Sequence, residues 1–163
     1  MIYRYLGTIE ENYHLAEIIR SNINLVQDKT KQLFTYHYKL KACLDDMKQT
    51  RLERSNTNKY TFSHEIDSLI TSGNKNIMTS KVLLKDLIND AQNYDQHQQL
   101  SARSNNTTHT IHINHPINDA ELRIRKNLAN TLTLKYVDVL KKFQNVQNLI
   151  KEDKIKYVTM CIR

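Results

Sequence analysis

The stretch DAELRIRKNLANTLTLKYVDVLKKFQNVQNLIKEDKIKYVTMCIR, Asp119 to Arg163, contains neither Gly nor Pro. Stepping alternately three and four residues from Leu122 visits Arg125, Ala129, Leu132, Tyr136, Val139, Phe143, Val146, Ile150, Asp153, Tyr157 and Met160. Only Arg125 and Asp153 interrupt the apolar run. A period near 3.5 held for about six heptads places these side chains along one seam of a long helix. A helix of that kind is not stable alone and has to bury its seam against other helices.

Two earlier segments repeat the pattern. In the first, Ile19, Ile23, Val26, Thr30, Leu33, His37, Leu40, Leu44 and Met47 form the seam, and a flanking row of Leu15, Ile18 and Leu25 is expected to widen the buried face. In the second, the seam is Ile66, Ile70, Gly73, Ile77, Ser80, Leu84, Leu87, Ala91 and Tyr94, with Ser63 as a capped start. Gly73 and Ser80 allow a neighbouring helix to approach closely. Two Gly and one Pro in 163 residues leave little material for tight hairpins or Gly-rich phosphate loops.

The pattern predicts an all-α fold, an antiparallel up-down-up three-helix bundle forming one domain over residues 1–163. Its helices are expected at about 10–54, 60–99 and 118–161, the last capped by Asn118 or Asp119. A short polar connector follows Arg54. A long one, 101–117, is rich in Ser, Asn, Thr and His, contains Pro116, and is expected to be mobile. Thr30, His37, Arg125 and Asp153 are expected either to set register or to reach solvent by their length.

The formal net charge of +7 is concentrated in the last helix, where residues 118–163 hold ten basic and five acidic side chains. Such a face is a solvated lysine-rich surface or a match for an acidic segment, anionic lipid or nucleic acid. No zinc spacing, Gly-flanked aromatic motif or Arg-rich run accompanies the charge, so nothing supports a nucleic-acid partner. Met1–Leu6 is too short and polar for a signal peptide, and no run approaches a membrane span, so the chain is expected to be soluble. Cys43 and Cys161 lie too far apart in sequence for a metal-ligand spacing and read as reduced thiols.

Candidate chemistry is sparse. His97, His109, His112 and His115 lie in or near the second connector with no carboxylate or cysteine at fixed spacing. Asp45-Asp46 and Glu152-Asp153 are adjacent pairs whose members diverge by about 100° around a helix and cannot serve one site. His14 and His37 have no Ser or Cys one turn away. These readings predict a protein that is not an enzyme, with no catalytic residue, cofactor or metal. Its working part is expected to be a surface that recognises another helix.

Leu122-Arg123-Ile124-Arg125-Lys126, Thr131-Leu132, Lys135-Tyr136-Val137-Asp138-Val139-Leu140, Phe143 and Gln147 follow one another in an order that generic coiled coils do not fix. Over roughly 30 residues this resembles the third helix of the syntaxin N-terminal domain, the three-helix Habc domain of target-membrane SNAREs. Ile19-Arg20 and Ile23 agree in register; the second segment agrees only in length and periodicity. The resemblance implies a regulatory domain that folds over its own SNARE motif in a closed state and docks SM-family proteins, controlling SNARE assembly in vesicle docking, membrane fusion and exocytosis. It further implies that the SNARE motif and a C-terminal membrane anchor lie outside these residues, with the domain on the cytosolic face of a membrane.

The resemblance places the SNARE helix in a groove between the second and third helices. The residues expected to carry that contact are Leu83, Leu134, Val137 and Leu140, with Arg123, Lys135 and Lys142 as bases. Leu134, Val137 and Leu140 form an apolar row outside the seam, which is either an extension of the core or a docking surface. The Arg-Thr peptide by which many family members engage SM proteins has no counterpart in Met1–Thr8. The rival reading is a stand-alone spectrin-like scaffold or adaptor bundle, and a third is a basic lipid-binding bundle.

Overall fold

The computed structural model describes residues 7–49, 61–104 and 117–162. Three helices account for all of these but Gly7 and Thr8: α1 (Ile9–Gln49), α2 (Thr61–Ser104) and α3 (Ile117–Ile162). No strand occurs among the described residues. The fold is the expected all-α three-helix bundle, and it divides into two compact units, each containing a segment of every helix.

The first unit joins the chain up to Ser21 with Thr79–Tyr136. The start of α1 therefore lies beside the end of α2 and the start of α3, which makes α2 antiparallel to both. A reciprocal capping box opens α1. The Glu11 amide donates to Thr8 Oγ1 at 3.2 Å, and Glu11 Oε2 accepts from the Thr8 amide at 3.0 Å. Ala16, Ile19, Leu84, Leu87, Ala91, Leu128, Ala129, Leu132 and Tyr136 form its core.

The second unit joins Asn22–Met78 with the chain from Val137 onward. Ile23, Val26, Leu33, Ile66, Val139, Phe143, Val146 and Ile150 are at most 1% exposed there. Gly73 on α2 faces the Phe143 ring so closely that a Cβ at that position would lie 2.3 Å from Cζ. The glycine is thus a packing feature, and its helical φ is ordinary.

Several expectations need correction. The buried face of α1 is narrower than the flanking row suggested, since Ile18 is 38% and Leu25 45% exposed, while Leu15 is half-buried. Ser63 does not cap α2, which begins at Thr61; its hydroxyl lies 3.4 Å from Asp67 one turn on. That helix also runs past Gln99 to Ser104, taking the first four residues of the expected connector. The remainder, 105–116, with His109, His112, His115 and Pro116, lies outside the described residues, as does the expected end of α1 beyond Gln49. Thr30, Arg125 and Asp153 do not reach solvent: they are 6%, 3% and 6% exposed.

Replacing Gly73 with Ala improves helix propensity by about 1 kcal/mol, yet the new methyl group would overlap the ring of Phe143, which is itself 1% exposed. A net loss of stability is expected, from an overpacking cost of roughly 1–3 kcal/mol or more. Adding Phe143→Leu should restore part of it. Urea unfolding checks this, and a Gly73→Ala protein as stable as the parent would show that the ring does not rest on the glycine.

Candidate helix-binding surface

In the first unit the charged seam residue Arg125 is the centre of a buried network. Its guanidinium bridges to Asp90 on α2, and one nitrogen also donates to the Gly7 carbonyl at 2.8 Å and to Glu121 Oε1 at 2.7 Å. The cation lies over the Tyr94 ring, 4.5 Å from its centroid. Asp90 accepts further hydrogen bonds from the Gly7 amide at 3.1 Å and Asn12 Nδ2 at 2.7 Å. A buried cation is tolerable only with such pairing, because desolvation costs several kcal/mol per ion. Each of α1, α2 and α3 contributes a partner.

Tyr94 belongs to the same cluster. Its hydroxyl donates to Glu121 Oε2 at 3.1 Å. Burial, and then the neighbouring Glu121 carboxylate, raise the phenol above its ordinary range, with Arg125 acting in the opposite sense. On the surface of this unit Lys126 pairs with Asp95 at 2.9 Å, which holds that carboxyl below its usual range.

The second unit has a corresponding polar contact within its core. His37 Nδ1 lies 2.6 Å from Asp153 Oδ2, with side-chain exposures of 13% and 8%. Thr30 satisfies itself by donating to the Val26 carbonyl at 2.7 Å. These contacts fix which outward residues the helices present.

The residues expected to bind a helix are distributed over both units. In the first, Leu134 is 74% exposed, Arg123 is exposed, and Leu83 and Lys135 are half-buried. In the second, Val137 is 38% exposed, Leu140 is half-buried, and Lys142 is exposed with a 2.8 Å bridge to Asp138. Leu134 and Val137 are therefore the outward members of the apolar row, and Leu140 sits at the edge of the core. Sequence periodicity did not disclose three further exposed residues on α3, Ile155, Val158 and Ile162, at 57%, 53% and 80%. Their spacing of three and four was visible in the sequence but belongs to no seam.

Among the described residues no group of three or more His, Cys, Asp or Glu side chains is arranged to hold a metal ion. No described helix is long and apolar enough to cross a membrane. No protein-family model, curated protein or solved structure matches the chain.

Arg125→Ala would leave Asp90 and Glu121 without their cation in a largely desolvated site, at an expected cost of about 3–5 kcal/mol. Lys142→Ala removes an exposed bridge and should leave the unfolding midpoint nearly unchanged. Thermal and urea unfolding of the two variants should differ accordingly. Equal small effects would mean that the Arg125 network contributes no more than a surface pair.

Proposed function

We propose that this bundle is the N-terminal regulatory domain of a syntaxin-like SNARE. It covers the parent protein's SNARE helix in a closed state, docks an SM-family regulator, and so controls SNARE assembly during vesicle docking and membrane fusion. The parent carries the domain on the cytosolic face of a membrane through a C-terminal anchor.

The observation that carries this reading is on α3. Its core stripe is fully occupied, with Ala129, Leu132, Tyr136, Val139, Phe143, Val146 and Ile150 all buried, and yet Leu134 and Val137 remain outside it. Arg123 and Lys135 supply positive charge on α3 in the first unit and Lys142 in the second. Apolar anchors beside bases suit an amphipathic helix with acidic flanks: the anchors would give affinity, and the bases would speed and orient the encounter. The order of polar and apolar residues along Leu122–Gln147 supports the syntaxin assignment in particular.

Titrating the chain with its parent protein's SNARE segment tests the proposal by NMR shifts and fluorescence anisotropy. The variant Leu134→Asp, Val137→Asp should fold like the parent, because both positions are outside the buried stripe. It should bind at least about tenfold more weakly, a loss of roughly 1.4 kcal/mol. Equal affinities would remove the surface from the proposal. A parent gene with no SNARE segment would leave the spectrin-like scaffold as the reading.

A further inference from the structure

Within the second unit, the last turns of α1 and α3 leave a groove lined by Leu44 and Lys48 on one side and Ile155, Lys156, Thr159 and Met160 on the other. We propose that this groove is a second docking site, separate from the α3 surface above, for an acidic amphipathic helix of another protein. The proposal does not rest on the SNARE reading.

The size of the groove restricts the occupant. Its volume is about 240 Å³, whereas small-molecule pockets run from about 300 to 1,000 Å³ and enclose most of their ligand. An enclosed cavity of about 150 Å³ accepts benzene, so this open one takes a single leucine-sized or aromatic anchor. Lined by about one turn of each helix, it matches one anchor of a crossing helix rather than an extended peptide.

The apolar surface continues beyond the groove. Ile155 forms its wall while remaining 57% exposed, and Val158 and Ile162 extend the row along α3. Ile155 is thus shared between the groove wall and the exposed row. Burial of this row gives the contact more area than the groove alone supplies.

Charge selects the helix. Among the described residues lining the groove, the ionised side chains are both lysines and none is acidic. Among the described residues, Lys48 makes an exposed bridge to Asp45 at 3.7 Å, of the kind that contributes little and exchanges readily. Glu152, one turn before Lys156, is exposed and outside the lining. A second copy of this chain is a poor occupant, because two-fold pairing of the same face sets lysines against lysines. The concave form favours a convex helix over a flat lipid surface.

The test uses the full chain, labelled with ¹⁵N, and two synthetic helical peptides with identical Leu and Phe anchors. One has Glu and the other Lys at every flanking position. The acidic peptide should shift the amides of Leu44, Lys48 and the Ile155–Met160 turn, and the basic peptide should bind at least tenfold more weakly. Ile155→Asp with Lys156→Glu, both at exposed positions, should lower acidic-peptide affinity at least tenfold and leave the unfolding midpoint unchanged. The Leu134→Asp, Val137→Asp variant should retain the shifts at Leu44, Lys48 and the Ile155–Met160 turn, which separates failure here from failure of the SNARE reading. In the Leu134→Asp, Val137→Asp background, the proposal is overturned by equal binding of both peptides, or by no shifts at the groove amides up to about 1 mM peptide. It is equally overturned if Ile155→Asp, Lys156→Glu abolishes self-association in sedimentation, or binding to phosphatidylcholine–phosphatidylserine vesicles, without affecting the peptide.

Discussion

A helix of 46 residues with an apolar stripe along its length cannot persist in water by propensity alone. Everything else in this protein follows from covering that stripe. The helices α1 and α2, at 41 and 44 residues, are long enough to do so, and each brings a stripe of its own. The three surfaces are mutually sufficient: α3 leaves no interior position of its stripe exposed between Arg125 and Asp153. Remove one helix and the remaining two would present a continuous apolar face to solvent.

Apolar stripes specify that helices associate but only weakly specify their register, since a shift of one turn, about 5.4 Å, exchanges one leucine for another. Polar contacts fix it. In the first unit, Arg125 meets Asp90 and the Gly7 carbonyl, and displacement of α2 would leave a buried guanidinium facing hydrocarbon. The His37–Asp153 pair imposes the same condition on α1 and α3 in the second unit. Gly73 adds a steric condition between α2 and α3, because the Phe143 ring fits only where the Cβ is missing. A hydrophobic replacement at these sites would remove a penalty for misalignment along with the cost of desolvation.

Much of this was legible in the sequence because periodicity is a local property. The stripe on α3 was read nearly residue for residue, and the need for Gly73 at a close approach was inferred from its place in a seam. What periodicity cannot give is the angular width of a buried face, which is why Ile18 and Leu25 were assigned to the core although they are exposed. Nor can it give partners. Arg125 in a seam was a signal that a buried carboxylate stood opposite, but Asp90 is the residue before Ala91 in the stripe of α2, and only the packing selects it. Thr8-Ile9-Glu10-Glu11 did carry a capping signature that the apolar pattern obscured.

The candidate surface divides along the same line. Off-stripe position correctly set Leu134 and Val137 outside the core, whereas Leu83 and Leu140, read as outward too, are half-buried. The two possibilities for the apolar row, core extension and docking surface, are therefore realised at different residues. Leu140 borders the core; Leu134, at 74% exposure, cannot be explained as overflow from a stripe that is already complete. At the end of α3 the logic reverses. Tyr157 and Met160 are stripe positions that are only half covered, and Met160 lines the groove together with Leu44, a buried stripe residue of α1. An exposed residue off the stripe offers an anchor to a partner's groove, and an incompletely covered stripe offers a groove to a partner's anchor. This bundle has one of each, and the difference in shape is the physical reason to treat them as separate sites.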